Sequence, residues 1–383
     1  MYKKYYSRFL EASDFLHFAA HSHHYWPDVT REATLEAWDH AATTTDLKWK
    51  KIMSEVFPKT QRHIAKLINF SRPEDIALAP NTHDLVFRLL SCFFEQDKVK
   101  VLSTDSEFYS FARQIKRLKE WDKFQVEQVK VDDSFIENFV SKLESNKYDV
   151  VFLSQVFFNS GKVISNEDMD KIIQAAGNAT ICLDGYHSFA AVPVDISKWE
   201  DKIFFTSGSY KYAQGGEGVC FMTLPKDCQL RPLTTGWFAE FSDLSEAQPD
   251  EVTYAPNGMR FWGATIEPIS YYRFNATWDQ FEEDKVSLEQ MDDYVKELQR
   301  YFLHKLKQNR PKLLENSQLT NEDINTQGHF LGLVFENSKQ TKEAYEGLIE
   351  KKIITDFRDK LLRIGFGVYQ DKNDIDEFFN RLI

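Results

Sequence analysis

The chain is poor in cysteine, lacks any apolar stretch of membrane-spanning length, and carries no surplus of positive charge. Each absence removes a class of protein. Its four cysteines, Cys92, Cys182, Cys220 and Cys228, form no CxxC pair. Three of them sit in or beside apolar runs, as small core residues do, so a reducing compartment is expected. Residues 1–15, MYKKYYSRFLEASDF, are basic but have no apolar core or small-residue cleavage site. No later run approaches the ~20 apolar residues of a membrane span, and a cytoplasmic protein is expected. The net charge of -12 leaves no basic face for nucleic acid or an anionic membrane. Internal repeats and low-complexity tracts are also missing.

What is present is a chain of 383 residues, long enough for a large core and for two domains. Aromatic residues reach 15%, with 32 Phe, which fits either a large buried core or an extensive subunit interface. Helical spacing covers residues 30–67, with Ala33, Ala37, Trp38, Ile64, Leu67 and Ile68 on one face. A short strand is predicted at 76–79. Pro80-Asn81-Thr82 then opens an amphipathic helix, with Asn81 or Thr82 as its N-cap. Free N–H groups at such a start form a ready phosphate site.

Strands are further predicted at 98–103, 149–153, 181–183 and 203–206, alternating with helices that include 113–119 and 168–176. That alternation points to a mostly parallel sheet wrapped by helices. After Leu224 the pattern turns loop-like. A long amphipathic helix at 266–307, a strand near 329–335, a helix at 342–350 and a strand at 362–366 then form an α+β tail. The domain boundary is placed near 255–265.

The chemistry concentrates in residues 181–222. One apolar run ends in Asp184, another ends near Ser207, and Lys211 stands before Gly215, Gly216 and Gly218. Open α/β sheets bind ligands at such strand ends. A carboxylate and a lysine delivered there suit pyridoxal phosphate, with Asp184 at the pyridine nitrogen and Lys211 as the Schiff-base amine. Upstream, His21, His23 and His24 lie close together, but no cysteine or carboxylate cluster completes a metal set. No metal is expected, and an active-site loop and a structural loop remain open as readings of that segment.

The runs DGYHSFAAVPVDIS and SGSYKYAQGGEG resemble the cofactor segment of the class V aminotransferase family of fold-type I pyridoxal-phosphate enzymes. Gly236-Trp237-Phe238-Ala239-Glu240 and Asp356-Phe357-Arg358, with Leu362-Arg363-Ile364-Gly365-Phe366, are similar to the kynureninase branch. The likeness runs from about Asp46 onward. It implies a large domain with a mostly parallel seven-stranded sheet, over 46–260. It further implies a smaller α+β domain over 261–383 and an N-terminal arm over 1–45 that contributes to the active-site rim.

By the same resemblance Lys211, Asp184 and Tyr210 are the catalytic group, and His187 supports Asp184 or the cofactor. Phe108 stacks on the pyridine face. Asn81, Thr82, His83, Tyr210 and Ser207 hold the phosphate. Trp237 and Thr265 reach it from a neighbouring subunit, so a homodimer is implied. Arg363 clamps the substrate carboxylate, and His23 and His24 face the substrate.

The sequence departs from kynureninases in its N-terminal loop, which reads AAHSHHYWPD where an Asn-Ser-Leu-Gly type loop is usual. The function implied is hydrolytic Cβ–Cγ cleavage of an amino acid. An aminotransferase is the alternative, and behind it come a cysteine desulfurase or lyase and a non-catalytic cofactor-binding paralogue. A desulfurase needs a nucleophilic cysteine in the C-terminal half, and none follows Cys228.

Overall fold

A computed structural model of the protein describes residues 2–243 and 250–382. Seven strands form the main sheet: β1 (Ile76–Ala79), β2 (Val99–Thr104), β3 (Phe124–Val129), β4 (Val150–Ser154), β5 (Thr180–Asp184), β6 (Ile203–Gly208) and β7 (Cys220–Thr223). Their spatial order is β1-β7-β6-β5-β4-β2-β3. Only β7 runs against its neighbours. Both β4 and β6 are buried along their whole length. Helices cover both faces of such a sheet, so its central strands read as unbroken apolar runs.

Two strands carry no clear signal in the sequence. The edge strand β3 spells FQVEQV and exposes Gln125 and Gln128, the polar pattern that protects a sheet edge from foreign pairing. The second, β7, has only four residues and follows directly on the glycine turn.

Helices α1 (Val29–Thr44) and α2 (Phe57–Leu67) divide the expected helical stretch. Thr45, in the left-handed region with φ 48, ends α1. Next come α3 (Thr82–Ser91), α4 (Tyr109–Lys119), α5 (Phe135–Ser145) and α6 (Asn166–Ala176). The single long helix expected over 266–307 is instead two, α7 (Ile269–Glu283) and α8 (Leu288–Gln308). Lys285 at φ 55 breaks the first. Ser287 starts the second with a reciprocal cap, in which the Gln290 N–H donates to its hydroxyl and its own N–H donates to the Gln290 side chain. The Ser-x-x-Gln spelling of that cap outweighs the continuous apolar spacing.

A second sheet holds β8 (Gln318–Leu319), β9 (Phe330–Val334), β10 (Asp356–Arg358) and β11 (Leu361–Gly365), all antiparallel, in the order β10-β11-β9-β8. Helices α9 (Ser338–Glu350) and α10 (Lys372–Asn380) complete the C-terminal part. The N-terminal segment is tied to this part. Leu16–His17 pairs in parallel with Ile353–Ile354, and Ala19 bridges to Gly365. Gly365 has no room for a side chain there, because a Cβ would stand 2.1 Å from His21 Nδ1.

Phe18 of that segment packs edge-on against Phe366 and Phe378. Phe302 on α8 lies 5.5 Å from Phe366, 5.1 Å from Phe378 and 5.1 Å from Phe379. Part of the aromatic excess is therefore core. Among the described residues no helix is long and apolar enough to cross a membrane, and no group of three or more His, Cys, Asp or Glu is placed to hold a metal ion.

Phe302 is fully buried, so Phe302→Ala leaves a cavity that its aromatic neighbours cannot close. The expected loss of stability is about 3–5 kcal/mol, read as a lowered urea midpoint with an unchanged slope.

Candidate active site

Three parallel strands, β4, β5 and β6, end side by side. Their register sets Ser154 opposite Asp184 and Asp184 opposite Thr206. Beyond β6 the chain turns through 209–218. There Gln214, Gly216 and Gly218 take left-handed backbone angles of φ 62, 71 and 107. The turn is pinned from several sides. Ser209 donates its hydroxyl to the Gly216 carbonyl, Tyr6 donates to the Gln214 side chain, and Trp26 lies against Gly216 closely enough to exclude a Cβ. This fixed turn carries Lys211.

Lys211 is 5% exposed and borders a cavity of about 240 Å³ that Asp184, His187, Phe108 and Tyr210 also line. Its amine lies 2.9 Å from His187 Nε2. It also stands 4.9 Å from the Tyr186 ring centroid and 5.6 Å from that of Phe108. Burial, and then the nearby Arg363 charge, lower its pKa to about 7, against the pull of Asp184. A charged amine loses its hydration there with little to replace it. His187 is likewise held well below its ordinary range, by burial and the Lys211 charge, so the ring that shares this hydrogen bond with the amine is neutral.

One oxygen of Asp184 accepts from the Tyr186 N–H at 2.8 Å. No described protein donor reaches the other oxygen. Burial raises its pKa in spite of that hydrogen bond and Lys211.

The phosphate turn behaves differently from expectation in one respect. Asn81 caps α3 by accepting from the Asp84 N–H at 2.8 Å, so its side chain is committed to the helix. Asn81, Thr82 and His83 all line the same cavity as Lys211. Ser207 does not, because its buried hydroxyl donates to the Gly185 carbonyl at 3.2 Å.

Other predicted residues lie outside the cavity. His24 is buried among Tyr6, Tyr212 and Tyr369 and donates from Nδ1 to the Tyr25 carbonyl at 2.7 Å. His23 is exposed and stacks on Tyr210 at 5.0 Å, with Glu217 3.7 Å away. Trp237 stacks on Phe238, and Thr265 is exposed. Arg363 is 2% exposed and bound to Asp356, with the Phe158 ring 4.1 Å from its guanidinium carbon. Phe158 lines the cavity and Arg363 does not.

Four contributors escaped the sequence reading. Glu107 accepts from the Thr104 hydroxyl at 2.6 Å, the Ser154 hydroxyl at 2.6 Å and the Ser154 N–H at 3.2 Å. Burial outweighs these bonds and pushes its pKa up to about 7, with Asp184 adding to the rise. Its only sequence signal is its place between a strand end and Phe108. Phe158 and Tyr186 lie among apolar residues with nothing to mark them. Asp356 opens the Asp-Phe-Arg motif, yet only the folded register shows what it faces. Cys220 also lines the cavity, but burial pushes its thiol up to about 12, so it supplies no thiolate nucleophile.

The family model described as aminotransferase class-V matches residues 28–378. A comparison with curated proteins finds no sequence match. Among solved structures the fold is similar to a mutant of C-DES with glycine covalently linked to its PLP cofactor. That likeness has a TM-score of 0.84 at 17% identity, covering 98% of this chain and 98% of that one. A complex of the cystine C-S lyase C-DES with its reaction product cysteine persulfide gives 0.80 at 17% identity, over 98% and 99%. The cysteine desulfurase from Thermococcus onnurineus NA1 gives 0.79 at 15%, over 96% and 93%. Identities this low speak for the fold alone. The narrower kynureninase likeness rests on the sequence motifs.

Two opposite pH effects follow from the buried groups. Lys211 holds its proton only to about pH 7 when folded, against 10.5 ordinarily. The unfolded chain binds more protons in that window, so folding stability rises with pH across it. Glu107 keeps its proton to about 7 instead of 4.5, so the folded chain binds more there and stability falls as pH climbs through that lower window. Lys211→Met flattens the upper rise and Glu107→Gln the lower fall, in urea unfolding of the cofactor-free protein across pH.

Proposed function

We propose a function on one premise: the chain belongs to the aminotransferase class-V family and is a pyridoxal-phosphate-dependent enzyme. The residues fit that cofactor. Lys211 is an amine whose pKa burial lowers to about 7, and Asp184 keeps one carboxylate oxygen uncommitted in the same cavity. When bound, pyridoxal phosphate draws electrons from an amino acid's Cα, making the proton there acidic and a group on Cβ easy to expel.

In this reading Asp184 would hold a proton on the ring nitrogen and Phe108 would pack against the ring, both from the lining of the cavity. The N–H groups of Thr82 and His83, at the start of α3, hold the phosphate together with the Tyr210 hydroxyl. Lys211 takes the Cα proton, and His187 orients its amine. Trp237 and Thr265, outside this chain's own cavity, would serve a neighbouring subunit's phosphate, which makes the working form a homodimer.

The reaction read here is elimination from a small amino acid that carries a sulfur leaving group. Lys211 removes the Cα proton, the Cβ–S bond breaks with its electron pair leaving on sulfur, and water releases the remainder as pyruvate and ammonia. The observation that carries this choice is cavity size. At about 240 Å³ it falls below the ~300–1,000 Å³ typical of pockets that enclose drug-sized ligands, which favours a short substrate side chain over a bulky aryl one. The named structural relatives include a C-S lyase. Transfer of sulfur to a protein cysteine is disfavoured, since Cys220 is inert and no cysteine follows Cys228.

A second reading, hydrolytic Cβ–Cγ cleavage of a kynurenine-like amino acid, draws on the Gly236-Trp237-Phe238 and Asp356-Phe357-Arg358 motifs. Incubating the holoenzyme separately with L-cystine, L-cysteine and L-kynurenine separates the two. Pyruvate with a sulfur product is expected from the first pair. Anthranilate and alanine from kynurenine would overturn elimination in favour of hydrolysis, and amino transfer to a 2-oxo acid would overturn both. Lys211→Ala should lower turnover by about 10²–10⁴-fold and abolish the visible band of the bound cofactor.

A further inference from the structure

The antiparallel register of β10 and β11 sets Asp356 opposite Arg363, deep beside the cavity. One carboxylate oxygen of Asp356 is bound to Arg363, and the other accepts from Arg358 at 2.5 Å. These two arginines differ sharply in setting. The Arg363 side chain is 2% exposed and that of Arg358 is 55% exposed. Asp356 thus bridges a buried guanidinium and a solvated one, and its pKa is held far below the carboxylate range.

Around that pair several buried polar atoms have no partner: Arg363 Nε, both ring nitrogens of His21, and the Tyr212 hydroxyl. His21 Nε2 is 3.7 Å from Asp356, too far for a hydrogen bond. An unsatisfied buried polar atom is destabilising, and native cores rarely gather several in one place. Such a cluster asks for a ligand rich in acceptors. A planar carboxylate matches the guanidinium fork. Phe158 links the pair to the Lys211 cavity: it lines that cavity, its ring lies 4.1 Å from the Arg363 guanidinium carbon, and its carbonyl accepts from Arg363 at 3.2 Å.

We propose that Asp356 is an internal stand-in for the substrate's carboxylate. It occupies Arg363 in the free enzyme and moves fully to Arg358 when an amino acid's carboxylate arrives, with His21 as a further donor to that carboxylate. This rests on reading Arg363 as the carboxylate clamp. Arg358 gives the displaced aspartate a place to go, so no buried anion is left alone, which would be costly. Competition by Asp356 reduces the apparent affinity for amino acids by the fraction of enzyme in which Arg363 is free. It does not touch amines that lack a carboxylate. Asp356 and His21 are accordingly specificity-determining and positioning residues.

The test compares L-alanine with ethylamine as ligands of the holoenzyme, with binding read from the cofactor's visible absorbance. Wild type is expected to prefer alanine. Asp356→Asn should tighten alanine about tenfold, the equivalent of ~1.4 kcal/mol, and leave ethylamine unchanged. Arg358→Gln, at an exposed side chain, should weaken alanine about tenfold with ethylamine again unchanged, Arg358→Lys restoring it. His21→Ala should weaken alanine alone.

Weaker or unchanged alanine binding in Asp356→Asn, or no effect of Arg358→Gln, would overturn the proposal and make Asp356 a permanent structural partner of Arg363. If Asp356→Asn does not fold, as thermal unfolding would show, Arg358→Gln decides alone. A wild type that binds alanine and ethylamine equally, with Arg363→Lys changing neither, would instead sink the clamp reading itself.

Discussion

Removing an ammonium group from water is among the most unfavourable acts in a folding chain, and the site is arranged around that cost. At Lys211 the burial is tolerated because the amine gives up its charge near neutrality and shares a hydrogen bond with a neutral His187 ring. The lowered pKa of the lysine follows from this desolvation. The turn that carries it must be rigid, since an amine free to swing outward would simply rehydrate. Tyr6 and Trp26, both from the N-terminal segment, hold that turn in place. The start of the chain therefore serves the chemistry without entering the cavity.

The same economy of charge extends across the cavity. Asp184 and Glu107 are two carboxyl groups in a poorly hydrated space, and Asp184 adds to the rise that burial imposes on Glu107. They are kept apart by role. Glu107 is fully enclosed by Thr104 and Ser154 hydrogen bonds, whereas Asp184 spends one oxygen on a backbone N–H and keeps the other toward the cavity. Beyond Phe158, a third carboxylate, Asp356, balances Arg363. Two sheets meet at this point. One delivers residues at the ends of parallel strands, and the other brings an antiparallel hairpin edge to the rim.

The strand at Ile76–Ala79 and the Asn81 cap were legible because both are local, an apolar run followed by a short polar side chain and a helix. The parallel strands that end in Ser154, Asp184 and Gly208 were legible because strands covered on both faces need no alternation. The edge strand β3 was hidden by its polar residues. The break between α7 and α8 was hidden by an apolar spacing that continues across it, although Ser287 and Gln290 spell the cap. Histidines near one another in sequence diverge in space. His21 lies under Gly365, His23 lies on Tyr210, and His24 packs among tyrosines, because the chain turns at 20–22, where the Ser22 and His23 N–H groups both donate to the Ala19 carbonyl.

The sequence alone determined that Asp184 and Lys211 stand at neighbouring strand ends, and so which cofactor chemistry the chain is built for. Strand ends and turns depend on residues a few positions apart, and those are written consecutively. Only the tertiary structure decided how far Lys211 is desolvated, that Cys220 lies in the cavity as an inert thiol, and that Arg363 is held by Asp356 behind Phe158. Each of these depends on what distant segments bring to the same few ångströms. A pKa, or the availability of a guanidinium, is set by that assembled neighbourhood, which no local spelling contains.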